Sequence, residues 1–357
     1  MIRFSICGAA SYACGELLRL MVNHPETQVA HLADSFAAGR KIQDEHPALA
    51  GFYDQEILPL NDETVDMIVK DSDVVFTAVD AGTVCGIAEK VLAGGKKFID
   101  FGADIRFRDA KVWEKWYHLD HPNYEMTKEA VYCIPEIQRD LAKGKSLISN
   151  PGCYPTATTL GLYPVLKEGM VVDNTIIVDA KSGYTGAGRR PAPNKLLAEA
   201  SNSFCAYALG GTHRHTPEIE QNIAYITGKD LMKPETWQFI NFQPHLTPQI
   251  RGIEVTIYAT CDKDFTNEEV YELYKDFYKD EPFVKVFPSN MPVQTKWAYG
   301  TNFVEMTPTF DSRTHRLIVS SVIDNIGKGA AGQAIQNMNL IMGLPETTGL
   351  MMPPMYP

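Results

Sequence analysis

Short apolar strands alternate with helices over the first part of the chain, and this alternation constrains the fold more than any other feature. Strands are predicted at residues 2–7, 28–33, 73–79 and 97–101. The segment 73–79 is apolar almost throughout, which is typical of a strand buried on both faces. Parallel strands need crossover connections, usually helices, and these cover the sheet. The pattern therefore predicts an α/β fold with a Rossmann-type, doubly wound parallel sheet.

The pattern changes in the second half of the chain, where strands lie among longer loops. Strands are predicted there at residues 174–179, 252–260 and 317–323, and a final helix at 330–342. Apolar Ile253, Val255 and Ile257 alternate with polar residues, which indicates a sheet with two different faces. We therefore expect a second, α+β domain with a mixed or antiparallel sheet.

Length, charge and cysteine content exclude several classes of protein. A chain of 357 residues is long enough for two domains. Its net charge of −11 argues against a nucleic-acid-binding surface. It contains neither a signal-peptide core nor an apolar stretch that could span a membrane, so no membrane partner is expected. The seven cysteines lack CxxC spacing, so we expect a cytoplasmic protein with free thiols and no bound metal.

Cys153 lies where a predicted strand turns into a helix. Asn150-Pro151-Gly152 is typical of a turn, and residues 156–166 are predicted to be helical. The free N–H groups and the dipole at a helix start favour a thiolate over a thiol. From these residues alone, a reactive nucleophile and a buried cysteine that closes the turn are equally good interpretations.

A glycine-containing turn follows the first strand, where dinucleotide-binding folds hold a pyrophosphate. Only Gly8 and Gly15 are glycines in the run Gly8-Ala9-Ala10-Ser11-Tyr12-Ala13-Cys14-Gly15, so the fingerprint is incomplete. Asp34 ends the second strand, where a carboxylate suits the ribose hydroxyls of NAD. A solvated carboxylate at a strand end is an equally good interpretation of Asp34.

Three further segments carry groups that suit catalysis or anion binding. His213 and His215 precede a predicted helix, and His213 suits proton exchange with a thiolate better than a metal site without a third ligand. A glycine-rich loop at 182–190 ends in two arginines and is either an anion site or a mobile surface loop. Arg106 follows a strand at the sheet edge where ligands bind, although a surface salt bridge is the ordinary role of such a residue.

Five blocks of sequence resemble the N-acetyl-γ-glutamyl-phosphate reductase family, and the resemblance extends over essentially the whole chain. The blocks are residues 150–157 (NPGCYPTA), 182–189 (SGYTGAGR), 211–221 (GTHRHTPEIEQ), 244–252 (PHLTPQIRG) and 324–347. The resemblance implies an NADPH-dependent enzyme of arginine biosynthesis. Such an enzyme reduces N-acetyl-γ-glutamyl phosphate to the semialdehyde and phosphate through a thioacyl intermediate.

The resemblance also implies a division of labour between domains and residues. It predicts a dinucleotide-binding domain at residues 1–148 and 325–357, and a catalytic and dimerisation domain at 149–324. Cys153 is implied as the nucleophile and His213 as the acid and base. The residues implied to bind the substrate are Arg106, Ser182 and Glu218. Those expected to bind the cofactor are Gly8, Ser11, Tyr12, Ala13, Cys14, Gly15, Asp34, Ser35, Gly186 and Asn325.

The cofactor-binding segments depart from the family pattern. Ser11 and Cys14 stand where the family has its second and third glycines. Asp34-Ser35 replaces a Ser-Arg pair that binds the 2′-phosphate of NADP, so NADP(H) is implied by the resemblance and NAD(H) stays open. Two other functions stay open: a reductase of an aminoadipate-type acyl phosphate, and a non-catalytic metabolite-binding protein. We expect a homodimer or homotetramer.

Overall fold

The computed structural model describes residues 1–355, which form two compact units. The first unit contains Met1–Pro151 and Ala330–Met351. The second contains Gly152–Gly329 and the segment that begins at Met352. Of the domain predicted at 1–148 and 325–357, residues 356 and 357 lie outside the described part of the chain. Each unit is built around its own β-sheet.

The described residues contain fourteen strands and thirteen α-helices. The strands are β1 (Ile2–Cys7), β2 (Thr27–Asp34), β3 (Ile57–Pro59), β4 (Val74–Thr77), β5 (Lys97–Asp100), β6 (Val131–Tyr132), β7 (Leu147–Ser149), β8 (Ile177–Ser182), β9 (Cys205–Ala206), β10 (Asn241–Leu246), β11 (Ile253–Thr260), β12 (Val284–Val286), β13 (Val304–Asp311) and β14 (Arg316–Ile323). The helices are α1 (Tyr12–Met21), α2 (Ile42–Glu45), α3 (Asp62–Asp71), α4 (Val84–Ala93), α5 (Ala110–Tyr117), α6 (Tyr124–Glu129), α7 (Pro135–Ala142), α8 (Cys153–Lys167), α9 (Leu197–Ala200), α10 (Thr216–Ile226), α11 (Asn267–Phe277), α12 (Thr295–Ala298) and α13 (Gly332–Ile341). A π-helical turn at Gly327–Ala331 precedes α13.

The first unit holds a parallel sheet with the strand order β3-β2-β1-β4-β5-β7-β6. All of its described strand pairs are parallel. The strand order reverses between β1 and β4, as it does in doubly wound dinucleotide-binding folds. Val75, Ala88, Phe98 and Leu147 belong to its buried core. The predicted Rossmann-type fold is confirmed.

The second unit holds a mixed sheet with the order β12-β13-β14-β11-β8-β10-β9. The pairs from β13 through β14 and β11 to β8 are antiparallel, whereas β8 pairs with β10 in parallel. Ile253, Val255 and Ile257 are fully buried, which confirms the predicted alternation along β11. A Cβ atom at Gly161 would lie 2.6 Å from Cδ1 of Ile257, so this glycine allows α8 to approach the sheet closely.

Two buried tyrosines bond the backbone of α8, and one of them compensates for a proline inside the helix. Pro164 has no N–H, so the carbonyl of Leu160 lacks the donor that a regular helix would provide. The hydroxyl of Tyr278 donates to that carbonyl at 2.5 Å, and the hydroxyl of Tyr274 donates to the carbonyl of Gly161 at 2.7 Å. These buried bonds fasten α8 to the region of α11 and hold the helix that begins at Cys153.

The C-terminal helix α13 belongs to the first unit, where it contacts α7 and α1. The buried amide of Asn337 donates to the carbonyl of Cys133 and to Oδ1 of Asn150, each at 3.1 Å. The amide of Asn339 donates to the carbonyl of Thr348 at 2.9 Å. Among residues 1–355, no helix is long and apolar enough to cross a membrane.

Candidate active site

Cys153 is the first residue of α8, with Gly152 as the N-cap. The helix thus begins three residues earlier than the sequence predicts, and the thiol sits directly at the positive end of the helix dipole. The N–H of Gly152 donates to Oε1 of Glu218 at 2.8 Å. Glu218 is fully buried on α10, so its carboxylate fixes the turn that carries the nucleophile.

A glycine also faces Cys153 from the π-helical turn. A Cβ atom at Gly329 would lie 2.7 Å from Cβ of Cys153, so a larger residue would collide with it. The turn itself is held by Asp324, which is fully buried. Its carboxylate accepts bonds from the N–H of Gly327 at 2.9 Å and from Nε of Arg251 at 2.6 Å. Because Gly329 has no side chain, the turn can approach Cys153 closely, and Cys153 is half-buried.

His213 lies beside the aromatic ring of the residue that follows Cys153. The rings of His213 and Tyr154 meet edge to face, with centroids 5.6 Å apart. Phe242 lies on another side of the imidazole, at 5.3 Å between centroids. Burial, together with the nearby positive charges of His215 and Arg214, lowers the pKa of His213 to about 3, and Glu218 opposes this only in part. His213 is therefore neutral at physiological pH.

A chain of hydroxyl groups runs from His213 towards Ser182. Oη of Tyr207 lies 3.4 Å from Nε2 of His213 and 3.2 Å from Oη of Tyr154. Ser182 lies near Tyr154, and its own hydroxyl donates to the carbonyl of Gly183. Burial raises the pKa of Tyr207 to about 12 and that of Tyr154 further, so both phenols stay protonated.

Gly186 belongs to the glycine-rich loop at 182–190, and Asn325, which follows β14, binds this loop within the second unit. Nδ2 of Asn325 donates to Oγ1 of Thr185 at 3.0 Å, and its Oδ1 accepts the N–H of Gly252 at 2.6 Å. A Cβ atom at Gly186 would lie 2.9 Å from Oγ of Ser182. Gly186 thus leaves room for Ser182, and Asn325 fastens the loop.

The first unit places the glycine turn at the N-terminus of α1. Gly8 has φ +94°, and a Cβ atom there would lie 2.3 Å from the carbonyl oxygen of Ala78, so only glycine fits. Ser11 is the N-cap, and its hydroxyl accepts the N–H of Cys14 at 3.2 Å. Within residues 1–355, no acceptor is paired with the N–H groups of Tyr12 and Ala13. These two groups can receive an anion, which fits a pyrophosphate.

The other two residues of this turn are packed inwards. Burial raises the pKa of the Cys14 thiol to about 12, so it stays neutral and unreactive. A Cβ atom at Gly15 would lie 2.7 Å from the ring of His46, whose Nε2 lies 3.0 Å from the carbonyl oxygen of Ala9. Gly15 therefore makes room for an imidazole that braces the turn.

Asp34 joins the glycine turn to the loop after β2. Its Oδ2 accepts the N–H of Ala10 at 3.1 Å, and its Oδ1 accepts the N–H groups of Phe36 at 2.8 Å and Ala37 at 3.1 Å. The carboxylate is buried, while the neighbouring Ser35 is exposed. The carboxylate of Asp34 thus holds the turn together and is not exposed to solvent.

Arg106 is buried in the first unit and bonds the backbone. Its Nε donates to the carbonyl of Asn150 at 3.0 Å, and its Nη2 donates to the carbonyl of Phe101 at 2.7 Å. At least part of the guanidinium therefore has a structural role at the ends of β5 and β7. Because Arg106 is buried, the ordinary role in a surface salt bridge does not apply to it.

Comparison with known proteins shows the family of this chain. The model described as "Semialdehyde dehydrogenase, NAD binding domain" matches residues 3–145, and "Semialdehyde dehydrogenase, dimerisation domain" matches residues 153–325. N-acetyl-gamma-glutamyl-phosphate reductase of Desulforudis audaxviator is 44% identical over 357 residues, and that of Desulforamulus reducens is 43% identical. Both alignments cover all of this chain and all of the relative. The chain belongs to the N-acetyl-γ-glutamyl-phosphate reductase family.

Solved structures with a similar fold include aspartate-semialdehyde dehydrogenases. Enzyme II of Vibrio cholerae superposes with a TM-score of 0.71 at 15% identity, covering 96% of this chain and 98% of that one. The enzyme of Candida albicans, solved with NADP, gives a TM-score of 0.67 at 15% identity, covering 95% and 98%. At these identities the likeness supports the fold of the reductase family member and nothing finer.

The sequence prediction overlooked two side chains of this reductase family member. Tyr207 lies between His213 and Tyr154, although neither tyrosine stands in a pattern that suggests chemistry. Tyr154 directly follows the predicted nucleophile, and that adjacency is the one signal for it. Tyr207 follows the two-residue strand β9, which carries no motif. No group of three or more His, Cys, Asp or Glu within residues 1–355 is arranged to hold a metal ion.

Proposed function

We propose that the protein reduces N-acetyl-γ-glutamyl phosphate to N-acetylglutamate 5-semialdehyde and phosphate, using a nicotinamide cofactor. The observation that carries this proposal is Cys153 at the start of α8, on a turn fixed by buried Glu218, with His213 packed against the ring of the next residue, Tyr154. The full-length identity of 44% to a reductase of that name supports the substrate. The second unit then carries the covalent chemistry, and the first binds the dinucleotide.

Cys153 acts as a thiolate nucleophile in this proposal. The dipole of α8 stabilises the ionised sulfur, which attacks the acyl carbon and expels phosphate to leave a thioester. When bound, the cofactor supplies the hydride that reduces this thioester. Ser182 and His213 lie in the same unit as Cys153, and Glu218 acts indirectly, by holding the N–H of Gly152.

We further propose that the protein binds NAD(H) more tightly than NADP(H). The turn at Gly8 fits a dinucleotide, because its close approach to Ala78 leaves no space for a side chain and the start of α1 offers N–H groups. Asp34 places a buried carboxylate at the end of β2, where it would repel a 2′-phosphate. Ser35 supplies no positive charge there.

Direct binding measurements test the cofactor preference. We expect the purified protein to bind NAD⁺ more tightly than NADP⁺ in calorimetry. The double substitution Asp34→Ser with Ser35→Arg should reverse the order, since it replaces the carboxylate by a cation. If the wild-type protein binds NADP⁺ more tightly, the interpretation of Asp34 is wrong.

We further propose a cytoplasmic homodimer or homotetramer. All seven cysteines are free, and a reducing compartment keeps a catalytic thiol reduced. The match to a dimerisation domain supports self-association. One face of the second sheet carries partly buried polar groups such as Lys181, His245 and Glu254, paired with one another or with Asp179. Light scattering after size exclusion distinguishes monomer, dimer and tetramer.

A phosphate-dependent assay tests the reaction itself. N-acetylglutamate semialdehyde is oxidised in the presence of phosphate, and reduced nicotinamide is followed by its absorbance. We expect turnover in the wild-type protein and none in Cys153→Ser. Cys205→Ser is the matched control, since Cys205 is an exposed thiol in the same unit, and it should keep full activity.

The same assay separates the alternative functions. A higher kcat/KM with the aminoadipate-type semialdehyde than with the N-acetylglutamate one would contradict the proposed substrate. Pocket contacts set such preferences with only about 1–3 kcal/mol, so both substrates must be measured side by side. No turnover with either substrate and either cofactor would indicate a non-catalytic metabolite-binding protein.

A further inference from the structure

Both segments that join the two units of the structure adjoin the nucleophile. The chain leaves the first unit after Pro151 and returns to it at Ala330. On the outward segment, Gly152 directly precedes Cys153. On the returning segment, a Cβ atom at Gly329 would lie 2.7 Å from Cβ of Cys153, so this backbone cannot move towards the cysteine without displacing it. The position of Cys153 therefore depends on how both segments are held.

Asn150 joins these two segments within the first unit. Nδ2 of its side chain donates to the carbonyl of Ala330 at 3.0 Å. Its N–H donates to the carbonyl of Asp100 at 2.8 Å, and its carbonyl accepts Nε of Arg106 at 3.0 Å. Asn150 is 1% exposed, so water does not compete for these bonds. The end of the outward segment is thus fastened to the first residue after the return.

Asn337 on α13 fixes the orientation of the Asn150 amide. A carbonyl only accepts hydrogen bonds, so the side-chain atom that faces Ala330 has to be the nitrogen. The nitrogen of Asn337 likewise faces the carbonyl of Cys133 at 3.1 Å, and it also donates to Oδ1 of Asn150 at 3.1 Å. Asn337 is fully buried. Turning the Asn150 amide over would place its oxygen against the carbonyl oxygen of Ala330, so a single orientation satisfies all of these groups.

We propose that Asn150 is a positioning residue for Cys153, which acts through the carbonyl of Ala330 and is itself held by Asn337. Its amide keeps the turn before α8 and the π-helical turn at a fixed separation, and these two turns set where the sulfur lies. Glu218 holds the N–H of Gly152, so the turn before α8 is fixed at both ends. The reactive role of the sulfur rests on the proposed function, whereas the positioning can be measured without turnover.

Loss of the Asn150 amide should affect the sulfur in two measurable ways. The buried carbonyl of Ala330 loses its donor, and the adjacent Gly329 is free to shift against Cys153. A sulfur that moves away from the first N–H groups of α8 loses part of the stabilisation that the helix dipole gives to a thiolate. A displacement of about 1 Å also costs up to about 100-fold in rate, because attack on the acyl carbon requires a defined geometry.

The pH profile of Cys153 alkylation by iodoacetamide tests the proposal in the full-length protein. All variants carry Cys205→Ser, because Cys205 is an exposed thiol and the other cysteines apart from Cys153 are buried. We expect Asn150→Ala to move the midpoint of the profile to higher pH and to slow alkylation near neutral pH by about 2–10-fold. The value of kcat should fall by about 10–100-fold, with a smaller change in KM. An unchanged alkylation profile would overturn the proposal.

A double-mutant cycle tests whether the two asparagines act as one unit. We expect Asn337→Ala to shift the alkylation profile in the same direction as Asn150→Ala but less, because Ala330 keeps its donor. The double variant should match Asn150→Ala alone, since Asn337 acts only through Asn150. Additive effects would contradict the role assigned to Asn337. If Asn150→Ala does not fold, an unchanged profile in Asn337→Ala overturns the proposal.

Asn339→Ala is the matched control on α13. Asn339 is fully buried like Asn337, and its amide donates to the carbonyls of Glu346 at 3.2 Å and Thr348 at 2.9 Å. Both alanine variants should lower the unfolding midpoint, because each leaves buried carbonyls without a donor. Only Asn337→Ala should shift the alkylation profile. An equal shift in Asn339→Ala would show general loosening of the fold and refute the positioning role.

Alkylation and turnover together separate this proposal from the proposed function. Absence of wild-type turnover with every substrate would refute the proposed function, whereas alkylation would still report how Cys153 is positioned. Wild-type turnover combined with a wild-type alkylation profile in Asn150→Ala would refute the positioning role alone. Circular dichroism of each variant confirms that it has folded.

Discussion

Replacing Glu218 tests how the turn that carries the nucleophile is held in place. The carboxylate is fully buried and accepts the N–H of Gly152 at 2.8 Å. Glu218→Ala removes this acceptor and leaves a buried N–H without its partner. A hydrogen bond to a charged group contributes about 1.5–3 kcal/mol to stability. At about 2–4 °C per kcal/mol for a unit of this size, we expect the unfolding midpoint to fall by about 3–12 °C.

The same substitution should impair the reactivity of Cys153. A turn that is free to shift by about 1 Å can cost up to about 100-fold in rate, because the sulfur no longer meets the acyl carbon in line. We expect slower alkylation of Cys153 by iodoacetamide and a lower kcat, with a smaller effect on KM. Glu218→Gln keeps a carbonyl acceptor and should recover most of both losses.

Glu220 provides the matched control on the same helix. Its Oε1 accepts the N–H of Ile240 at 3.2 Å, and it is buried like Glu218. Glu220→Ala should lower the unfolding midpoint by a similar amount and leave the alkylation rate of Cys153 unchanged. The reasoning is refuted if Glu218→Ala alkylates and turns over at the wild-type rate, or if Glu220→Ala slows Cys153 equally.

Three further substitutions test the scaffold. Tyr278→Phe removes the donor to the carbonyl of Leu160 and should lower the free energy of unfolding by about 1–3 kcal/mol in urea titrations. Gly8→Ala should abolish dinucleotide binding in calorimetry, because its Cβ would meet a backbone oxygen at 2.3 Å, whereas Gly39→Ala has open space at a similar φ and should bind normally. Burial raises the pKa of Asp100 to about 6, above the ordinary value of 3.8, so its contribution to stability is present at low pH and is lost as the pH rises through about 6. Asp100→Asn should therefore gain stability relative to wild type as the pH rises from about 4 to about 7, and equal thermal midpoint differences at both pH values would contradict this.

Much of the fold could be predicted from local patterns. The apolar run at residues 73–79 indicates a strand buried on both faces, and the alternation in β11 indicates a strand buried on one face. Both patterns can be recognised within a few consecutive residues. The family could be predicted as well, because its motifs are contiguous. The sequence predicts the start of α8 three residues late, because Cys153 is a weak helix former.

The arrangement of the candidate site was less accessible. The roles of Cys153 and Arg106 stay predictions, although the structure shows where each lies. Asp34 could be predicted as a strand-end carboxylate, but not as the acceptor of an N–H from Ala10 in another loop. Such a bond depends on how two strand ends are brought side by side by the parallel sheet, and no spacing in the sequence records it.

The sequence by itself determined the two sheets, the family and the candidate nucleophile, because each can be recognised from a local hydrophobic pattern or a contiguous motif. Only the tertiary structure decided what surrounds that nucleophile. Glu218 reaches Gly152 across 66 residues of sequence, and Tyr154 meets Tyr207 across 53. Hydrogen bonds between segments this far apart leave no periodic trace, since they depend on how α10 packs against α8 and where the residues after β9 lie.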